Sequence, residues 1–259
     1  MLTGETLTRA GIDVVTLKPA ECDVSRGRDL PVDTVAVDYE GREHVPDERT
    51  LSRLAEEKRV LVTTPVRADG FDPLGDDSLL ARIPPEVRRV LVAGHPAYLS
   101  ETEKGRAVAP RLGRALESTP GAWVGTEGVE RLAMAAGGVQ YDLLSRNTES
   151  ELRGLRAAGF DGELAVYAPT VLTDDEDAIL DAVGAYAARR GPVARALPEG
   201  APTDATAEGR VREVLSAAVR DYALVGGVDD VRSQVRALRE AGANHVVAYP
   251  ARGIDDFLE

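Results

Sequence analysis

Residues 121–145 read GAWVGTEGVERLAMAAGGVQYDLLS, and this stretch is the most informative part of the chain. It predicts a strand (Ala122–Gly125), a glycine-bracketed turn (Gly125–Gly128), a helix (Val129–Ala136) and a second strand (Tyr141–Leu144). The turn opens the helix, where unpaired backbone N–H groups and the positive end of the helix dipole meet. Because such a turn can hold a phosphate without a basic side chain, we expect a phosphorylated ligand to bind here.

The rest of the chain repeats this alternation of short apolar strands and amphipathic helices. The compact strand runs suit a parallel sheet that is covered on both faces. Eight strands with helices between them predict an α/β fold of the (β/α)8 TIM barrel type, with a doubly wound open sheet as the alternative. Tyr222–Gly226 is either a ninth strand or the extended approach to the last helix. The predicted strands are Asp13–Leu17, Thr34–Asp38, Val60–Thr64, Val90–Ala93, Ala122–Gly125, Tyr141–Leu144, Leu164–Tyr167 and His245–Tyr249.

Helix starts and one irregular segment complete the predicted organisation. Capping boxes are predicted at Ser100 with Glu103, Thr148 with Glu151, and Thr173 with Glu176. Residues 192–206 are rich in Pro, Gly and Ala and predict an irregular excursion after strand seven rather than a linker, so residues 1–259 are predicted to form a single domain. The predicted helices are Thr50–Lys58, Glu101–Leu116, Val129–Ala136, Glu151–Ala158, Glu176–Arg189 and Asp230–Ala241.

The composition limits the classes of partner. The formal net charge is −13, and only three lysines occur, so the composition is of the haloarchaeal type that stays soluble in high salt. The acid excess argues against nucleic-acid binding. The sequence has no run of 18 apolar residues, so we expect no membrane span. It also has no signal-peptide layout and no pair of cysteines. We therefore expect a cytoplasmic, halophilic protein, with no metal site because its three histidines are scattered.

Three stretches in fixed order resemble the luciferase-like monooxygenase superfamily, and in particular its coenzyme F420-dependent branch, such as methylenetetrahydromethanopterin reductase. They are residues 123–146, 163–187 and 224–248. The resemblance implies a TIM-type barrel with bound F420 or FMN, in which His245–Tyr249 is the eighth strand and Leu224–Gly227 leads into the last helix. The N-terminal half is shorter than is usual and lacks the Gly-Arg-Phe/Tyr stretch, so the chain resembles a shortened and degenerate member.

The resemblance implies an F420- or flavin-dependent oxidoreductase that transfers hydride to or from a small organic substrate, and by analogy a homodimer. Two alternatives stay open. The short N-terminal half is also compatible with a non-catalytic barrel that binds a phosphometabolite or a protein partner. Residues 224–232, LVGGVDDVR, resemble a glycine turn of phosphate-handling barrels of the histidine-biosynthesis kind, which would require Tyr222–Gly226 to be strand seven.

Two catalytic candidates follow from where strands end, because barrel enzymes place their sites on the loops after the strands' C-terminal ends. His95 follows strand four and is a candidate to donate to a bound ring or to shuttle a proton. Its alternative role is a loop histidine that is satisfied by backbone. Asp38 ends strand two, where the family often has an acidic residue followed by histidine, here Tyr39. Asp38 either binds substrate or caps the loop.

The remaining candidates are predicted to contact the cofactor. In the family the equivalent of the Gly125–Gly128 turn contacts the cofactor phosphate, Thr126 adds a hydroxyl, and Glu127 has to point away. Thr63 and Thr64 end strand three and are candidates to donate to the cofactor ring, although strand threonines often only pack. Ser145 and Arg146 follow strand six, where Arg146 either pairs with a phosphate or acidic cofactor tail or forms a surface ion pair.

Overall fold

A computed structural model describes residues 5–66, 82–95, 99 and 101–258. Within this part the strands lie in the order β6-β5-β4-β3-β2-β1-β9-β7-β8, and β6 also pairs with β7. That order is the order of a closed eight-strand (β/α)8 barrel made of β1–β7 and β9, which confirms the predicted fold class over the doubly wound alternative. The strands are β1 Val14–Leu17, β2 Thr34–Val37, β3 Arg59–Pro65, β4 Arg88–Val92, β5 Trp123–Gly125, β6 Val139–Leu143, β7 Leu164–Val171, β8 Leu224–Val225 and β9 His245–Pro250.

Most helices in the described residues lie between successive strands, and 3-10 turns occur at Val24–Asp29 and Arg42–His44. In chain order they are α1 Glu5–Ala10, α2 Glu48–Ala55, α3 Glu101–Lys104, α4 Val108–Ser118, α5 Glu130–Ala136, α6 Thr148–Ala157, α7 Glu176–Ala188, α8 Gly191–Ala196, α9 Gly209–Tyr222, α10 Val228–Ala241 and α11 Asp255–Leu258.

Two compact units make up the chain. The first comprises Met1–Asp13, Leu143–Gly159 and Val166–Glu259, and the second comprises Val14–Asp142 and Phe160–Ala165. β6 and β7 are hydrogen-bonded inside each unit, through Leu144 N to Tyr167 O in the first and Gln140 N to Glu163 O in the second. A single domain over residues 1–259 stays a prediction.

In the second unit the faces of the strands follow from alternation and register. Leu17 and Val35 come together with Leu54 of α2 around Gly27, so these side chains point to the helix side of the sheet. Since β1 to β6 pair in parallel and in register, the alternate residues share the opposite, inner face. Thr16, Ala36 and Leu61 belong to this inner face.

The segment between β7 and β8 corrects the predicted excursion in part, because residues 197–206 are irregular as predicted while residues 192–196 are helical. It carries three helices, α7 to α9, with an apolar core of their own that includes Leu180, Val183, Leu215 and Val219. Residues 191–196 are helical rather than irregular, and Pro192 stands in the first turn of α8, where proline is tolerated. β8 pairs with the end of β7 and is not one of the eight barrel strands, so Tyr222–Gly226 is not strand seven.

Two of the predicted capping boxes are wrong. The hydroxyl of Thr148 accepts the N–H of Ser145, and the helix begins at Thr148 itself. At α7 the cap is Asp175, whose carboxylate accepts two backbone N–H groups. The Thr173 hydroxyl instead accepts the N–H of Asp175, in the turn that precedes α7. The predicted box at Ser100 lies outside the described residues.

Candidate functional site

Asp38 and Thr63 lie together on the inner face of the second unit. The Thr63 hydroxyl donates to Oδ1 of Asp38 at 3.1 Å, which joins the C-terminal ends of β2 and β3. The N–H of Asp38 donates to the carbonyl of Leu17 at 2.9 Å and fixes its backbone beside β1. The sequence predicted these two residues separately, as catalytic and cofactor-binding candidates, and the structure brings them into one hydrogen bond.

The setting of Asp38 favours its protonated form. Burial raises the pKa of Asp38 to about 6, and the nearby carboxylates of Glu40 and Glu21 act in the same direction. The ammonium of Lys18 and the Thr63 hydroxyl oppose this shift without cancelling it. A carboxyl with a pKa near neutrality can give or take a proton at working pH, which is what acid–base chemistry requires.

The inner face carries a further polar atom that sequence reasoning missed. The hydroxyl of Thr16, on β1, is fully buried and has no hydrogen-bond partner among the residues that the structure describes. Buried hydroxyls are normally paired, so an atom of this kind is compatible with a ligand or a water on the inner face. β1 reads VVTL, and the threonine in this apolar run was the available signal.

Thr64 differs from Thr63 in the face that it occupies. Its hydroxyl is fully buried and donates to the carbonyl of Val62 at 3.2 Å, with the carbonyl of Val90 at 3.5 Å. Since successive strand residues point to opposite faces, Thr64 is directed away from Asp38. A contact between Thr64 and a cofactor ring stays a prediction, and only Thr63 shares the site with Asp38.

His95 is paired with Glu127. Their Nε2 and Oε2 atoms lie 3.4 Å apart, and both side chains are a little over one third exposed. Gly94 makes the pairing possible because a Cβ at this position would lie only 2.7 Å from the carbonyl oxygen of Glu127 and from Val129. The loop after β4 thus presses against the turn after β5. The two candidates form one acid–histidine pair at the loop ends.

The turn Gly125–Gly128 is already bonded within the chain. The N–H of Thr126 donates to the carbonyl of Tyr141 at 3.0 Å, and its hydroxyl is directed to the same oxygen at 3.4 Å. The N–H of Gly128 donates to the Glu130 carboxylate at 3.2 Å. With these donors used and two carboxylates adjacent, the turn as it stands does not fit a phosphate ester. A phosphate contact there stays a prediction that requires these bonds to open.

Ser145 and Arg146 belong to the first unit, while the other candidates belong to the second. Ser145 is used in the start of α6, where its hydroxyl accepts the N–H of Asn147 at 3.2 Å. Arg146 lines a surface cavity of about 430 Å³ with Glu149 and Arg220. Their proposed contacts with a cofactor stay predictions.

The start of α10 carries an anion that the chain itself supplies. The carboxylate of Asp174, in the loop after β7, accepts the N–H of Gly227 at 2.6 Å. Barrel enzymes often bind phosphate between the loop after strand seven and a nearby helix start. In this chain that position is taken by a carboxylate from the same unit.

Two kinds of feature are absent from the residues that the structure describes. Within them, no group of three or more His, Cys, Asp or Glu side chains is arranged to hold a metal ion. No helix in the described ranges combines the length and the apolar character needed to cross a bilayer.

The comparisons with known proteins identify the family and the fold. Over 95% of this chain and 96% of the other, the structure is similar to an F420-dependent secondary alcohol dehydrogenase solved in complex with an F420-acetone adduct, with a TM-score of 0.59 and 13% identity. This likeness supports the (β/α)8 barrel fold. A second solved structure, described provisionally as a betaketoacyl-ACP reductase, covers 92% of this chain and 95% of its own at 14% identity. Its TM-score of 0.25 is too low to support any conclusion.

No curated protein matches the chain. A family model matches residues 7–257, so the chain belongs to DUF7388, a family of unknown function.

Proposed function

We propose that the chain is an oxidoreductase of the luciferase-like type that acts on a small organic substrate, with Asp38 as its acid–base group and F420 or FMN as its hydride carrier. One observation carries the proposal, namely the partly buried Asp38 that Thr63 holds at the C-terminal ends of the strands, with a pKa raised to about 6. The fold of an F420-dependent dehydrogenase supports the same class of reaction.

The chemistry of Asp38 is the transfer of a proton. Interconversion of an alcohol and a carbonyl compound requires a proton at the substrate oxygen, and a carboxyl that titrates near neutral pH is suited to supply or remove it. The Thr63 hydroxyl orients the carboxylate, and Lys18 stabilises its ionised form. The Gly125–Gly128 turn as it stands does not fit a phosphate, so a carrier whose phosphate binds there would have to open the hydrogen bonds of Thr126 and Gly128.

The first experiment is a titration of the purified protein with F420 and with FMN, followed by absorbance and fluorescence. We expect one of them to bind below millimolar concentration. Turnover of secondary alcohols with the bound carrier should then show an inflection near pH 6, which Asp38→Asn removes while the carrier still binds. If neither carrier binds, the oxidoreductase proposal is wrong.

Two neighbouring threonines provide a matched control. Thr63→Val removes the hydroxyl that lowers the pKa of Asp38, so the inflection should move to higher pH. Thr64→Val, on the opposite face, should leave the inflection in place. Equal effects of the two substitutions, or turnover unchanged in Asp38→Asn, would remove Asp38 from the mechanism while leaving carrier binding as a separate result.

A non-catalytic barrel is the second candidate. The observation that favours it is that two backbone sites suited to an anion already have partners within the chain. The Gly125–Gly128 turn donates to the Tyr141 carbonyl and the Glu130 carboxylate, and the start of α10 donates to Asp174. The same titration decides between the two, because this candidate requires that neither F420 nor FMN binds. The phosphate-handling alternative required Tyr222–Gly226 as strand seven, a requirement that the strand order does not meet.

A further inference from the structure

A groove of about 520 Å³ between α1 and α10 is lined by basic residues, although the chain as a whole is acidic. The chain has 44 acidic and 31 basic residues, yet the groove has four arginines and no acidic residue in its lining. All of its lining residues belong to the first unit, whereas Asp38 belongs to the second. The role proposed for the groove does not depend on Asp38. Its lining is Thr8, Arg9, Ala10, Gly11, Arg232, Val235, Arg236 and Arg239.

The arginines are arranged along one helix and across from another. Arg232, Arg236 and Arg239 follow at intervals of four and three residues, which places them on one face of α10 along a rise of roughly 10 Å. Arg9 approaches from α1, which packs against α10. Buried Val235 contributes an apolar floor between them. The guanidinium groups thus surround a floor that is itself uncharged.

One of these arginines is fixed and the others are exchangeable. Arg239 is held by the Asp13 carboxylate at 2.5 Å and by the carbonyl of Asn244, which orients its guanidinium. Arg9 pairs with Asp229 at 3.4 Å and Arg236 with Glu240 at 3.7 Å, in each case between well-exposed side chains. Exposed pairs of this kind contribute little to stability, so an incoming anion can replace them.

Arg232 strengthens the case because it forms no ion pair within the part of the chain that the structure describes. The three carboxylates that pair with its neighbours, Asp229, Glu240 and Asp13, do not line the groove. Each arginine carries five N–H donors in a planar fork and retains donors beyond those used in its pair.

We propose that this groove binds a small molecule that carries several contiguous phosphate groups. The arginine fork matches phosphate oxygens two at a time, and contiguous phosphates engage three or four guanidinium groups at once, whereas an isolated carboxylate engages one or two. The volume lies within the range of small-molecule sites. Free polyphosphate and a nucleoside triphosphate share this chemistry.

The test is isothermal titration of the full chain with inorganic tripolyphosphate, ATP and citrate, at an ionic strength of about 0.1 M, where surface charge still acts over about 10 Å. We expect saturable binding of tripolyphosphate. The double substitution Arg232→Gln with Arg236→Gln should weaken it at least about tenfold through lost charge-assisted hydrogen bonds. Both residues are exposed, so the fold should be kept, which the melting temperature checks.

Arg210→Gln is the matched control, since Arg210 forms an exposed helical ion pair with Glu213 at 3.1 Å outside the groove. It should change the affinity by less than about twofold. Binding of ATP that is tighter than tripolyphosphate binding identifies a nucleotide as the source, and the reverse identifies free polyphosphate. Absence of saturable binding, citrate binding as tight as tripolyphosphate binding, or equal loss in Arg210→Gln overturns the proposal.

Discussion

The ionised form of Asp38 destabilises the folded state, and this effect on the free energy of unfolding is measurable without any substrate. Its pKa is raised from 3.8 to about 6, so the folded state holds the proton more tightly than the unfolded state. The contribution of Asp38 to the free energy of unfolding is therefore largest below about pH 4. It is lost as the pH rises through about 6, by about 2–3 kcal/mol for the whole shift. Asp38→Asn removes the charge and should be more stable than the parent above that range, with no gain below it.

Urea unfolding at about pH 4 and about pH 7 measures both arms of this prediction. Asp161→Asn, at an exposed position in the same unit, is the control and should change stability by less than about 0.5 kcal/mol at either pH. A loss of stability in Asp38→Asn that is equal at the two pH values would mean that the Thr63 hydrogen bond, and not the buried charge, dominates at this position.

At the same scale, the sequence shows which residues follow a strand but not which of them meet. Thr63 and Thr64 were equally good candidates because the sequence does not show which of them faces β2, and Asp38, the partner of Thr63, lies 25 residues away in the chain. The Gly125–Gly128 turn illustrates the same limit. Its composition predicts free N–H donors, while the carbonyl of Tyr141, which accepts from Thr126, comes from the neighbouring strand.

Among the elements, α7 and the loop that follows α8 depend on one glycine. A Cβ at Gly184, in the middle of α7, would overlap the backbone carbonyl of Thr203, and the N–H of Ala205 donates to Asp181 on the same helix. Gly184→Ala should therefore force α7 and this loop apart and cost about 1–3 kcal/mol of unfolding free energy, despite the better helix propensity of alanine.

Gly154, in α6, is the matched control because a Cβ there meets no atom within 4 Å. Gly154→Ala should stabilise the protein by about 0.5–1 kcal/mol. Thermal or urea unfolding of the two variants gives opposite signs if the close approach is as described. A stabilising Gly184→Ala would show that the loop at Thr203 moves freely.

The elements that the sequence missed are those that do not follow the rule of one helix for each strand. Strand runs were recognisable because a buried parallel strand is a continuous apolar run. α9 was missed because it packs on α7, in a separate apolar core, where the barrel pattern predicts no helix. Proline and glycine at residues 191 and 192 suggested a loop, although both are compatible with a helix start.

For the molecule as a whole, the net charge of −13 predicts that salt stabilises the fold. Excess like charge repels itself in the compact state, and this repulsion decreases as the screening length falls from about 10 Å at 0.1 M to about 3 Å at 1 M. The urea midpoint should therefore rise with KCl concentration. Potassium chloride is the appropriate salt because sulfate would also strengthen apolar burial and obscure the electrostatic contribution.

A variant with less charge separates screening from other effects of salt. Glu57, Glu117, Asp161 and Glu199 are exposed, and their replacement by the corresponding amides changes the net charge from −13 to −9. If self-repulsion is the cause, this variant is more stable than the parent at low salt and gains less from KCl, so the two stability curves converge as the salt concentration rises. Parallel curves would instead show that potassium binds at specific places or that salt acts on the unfolded chain. In that case the acidic composition would be a device for solubility alone, with no part in the salt dependence of folding.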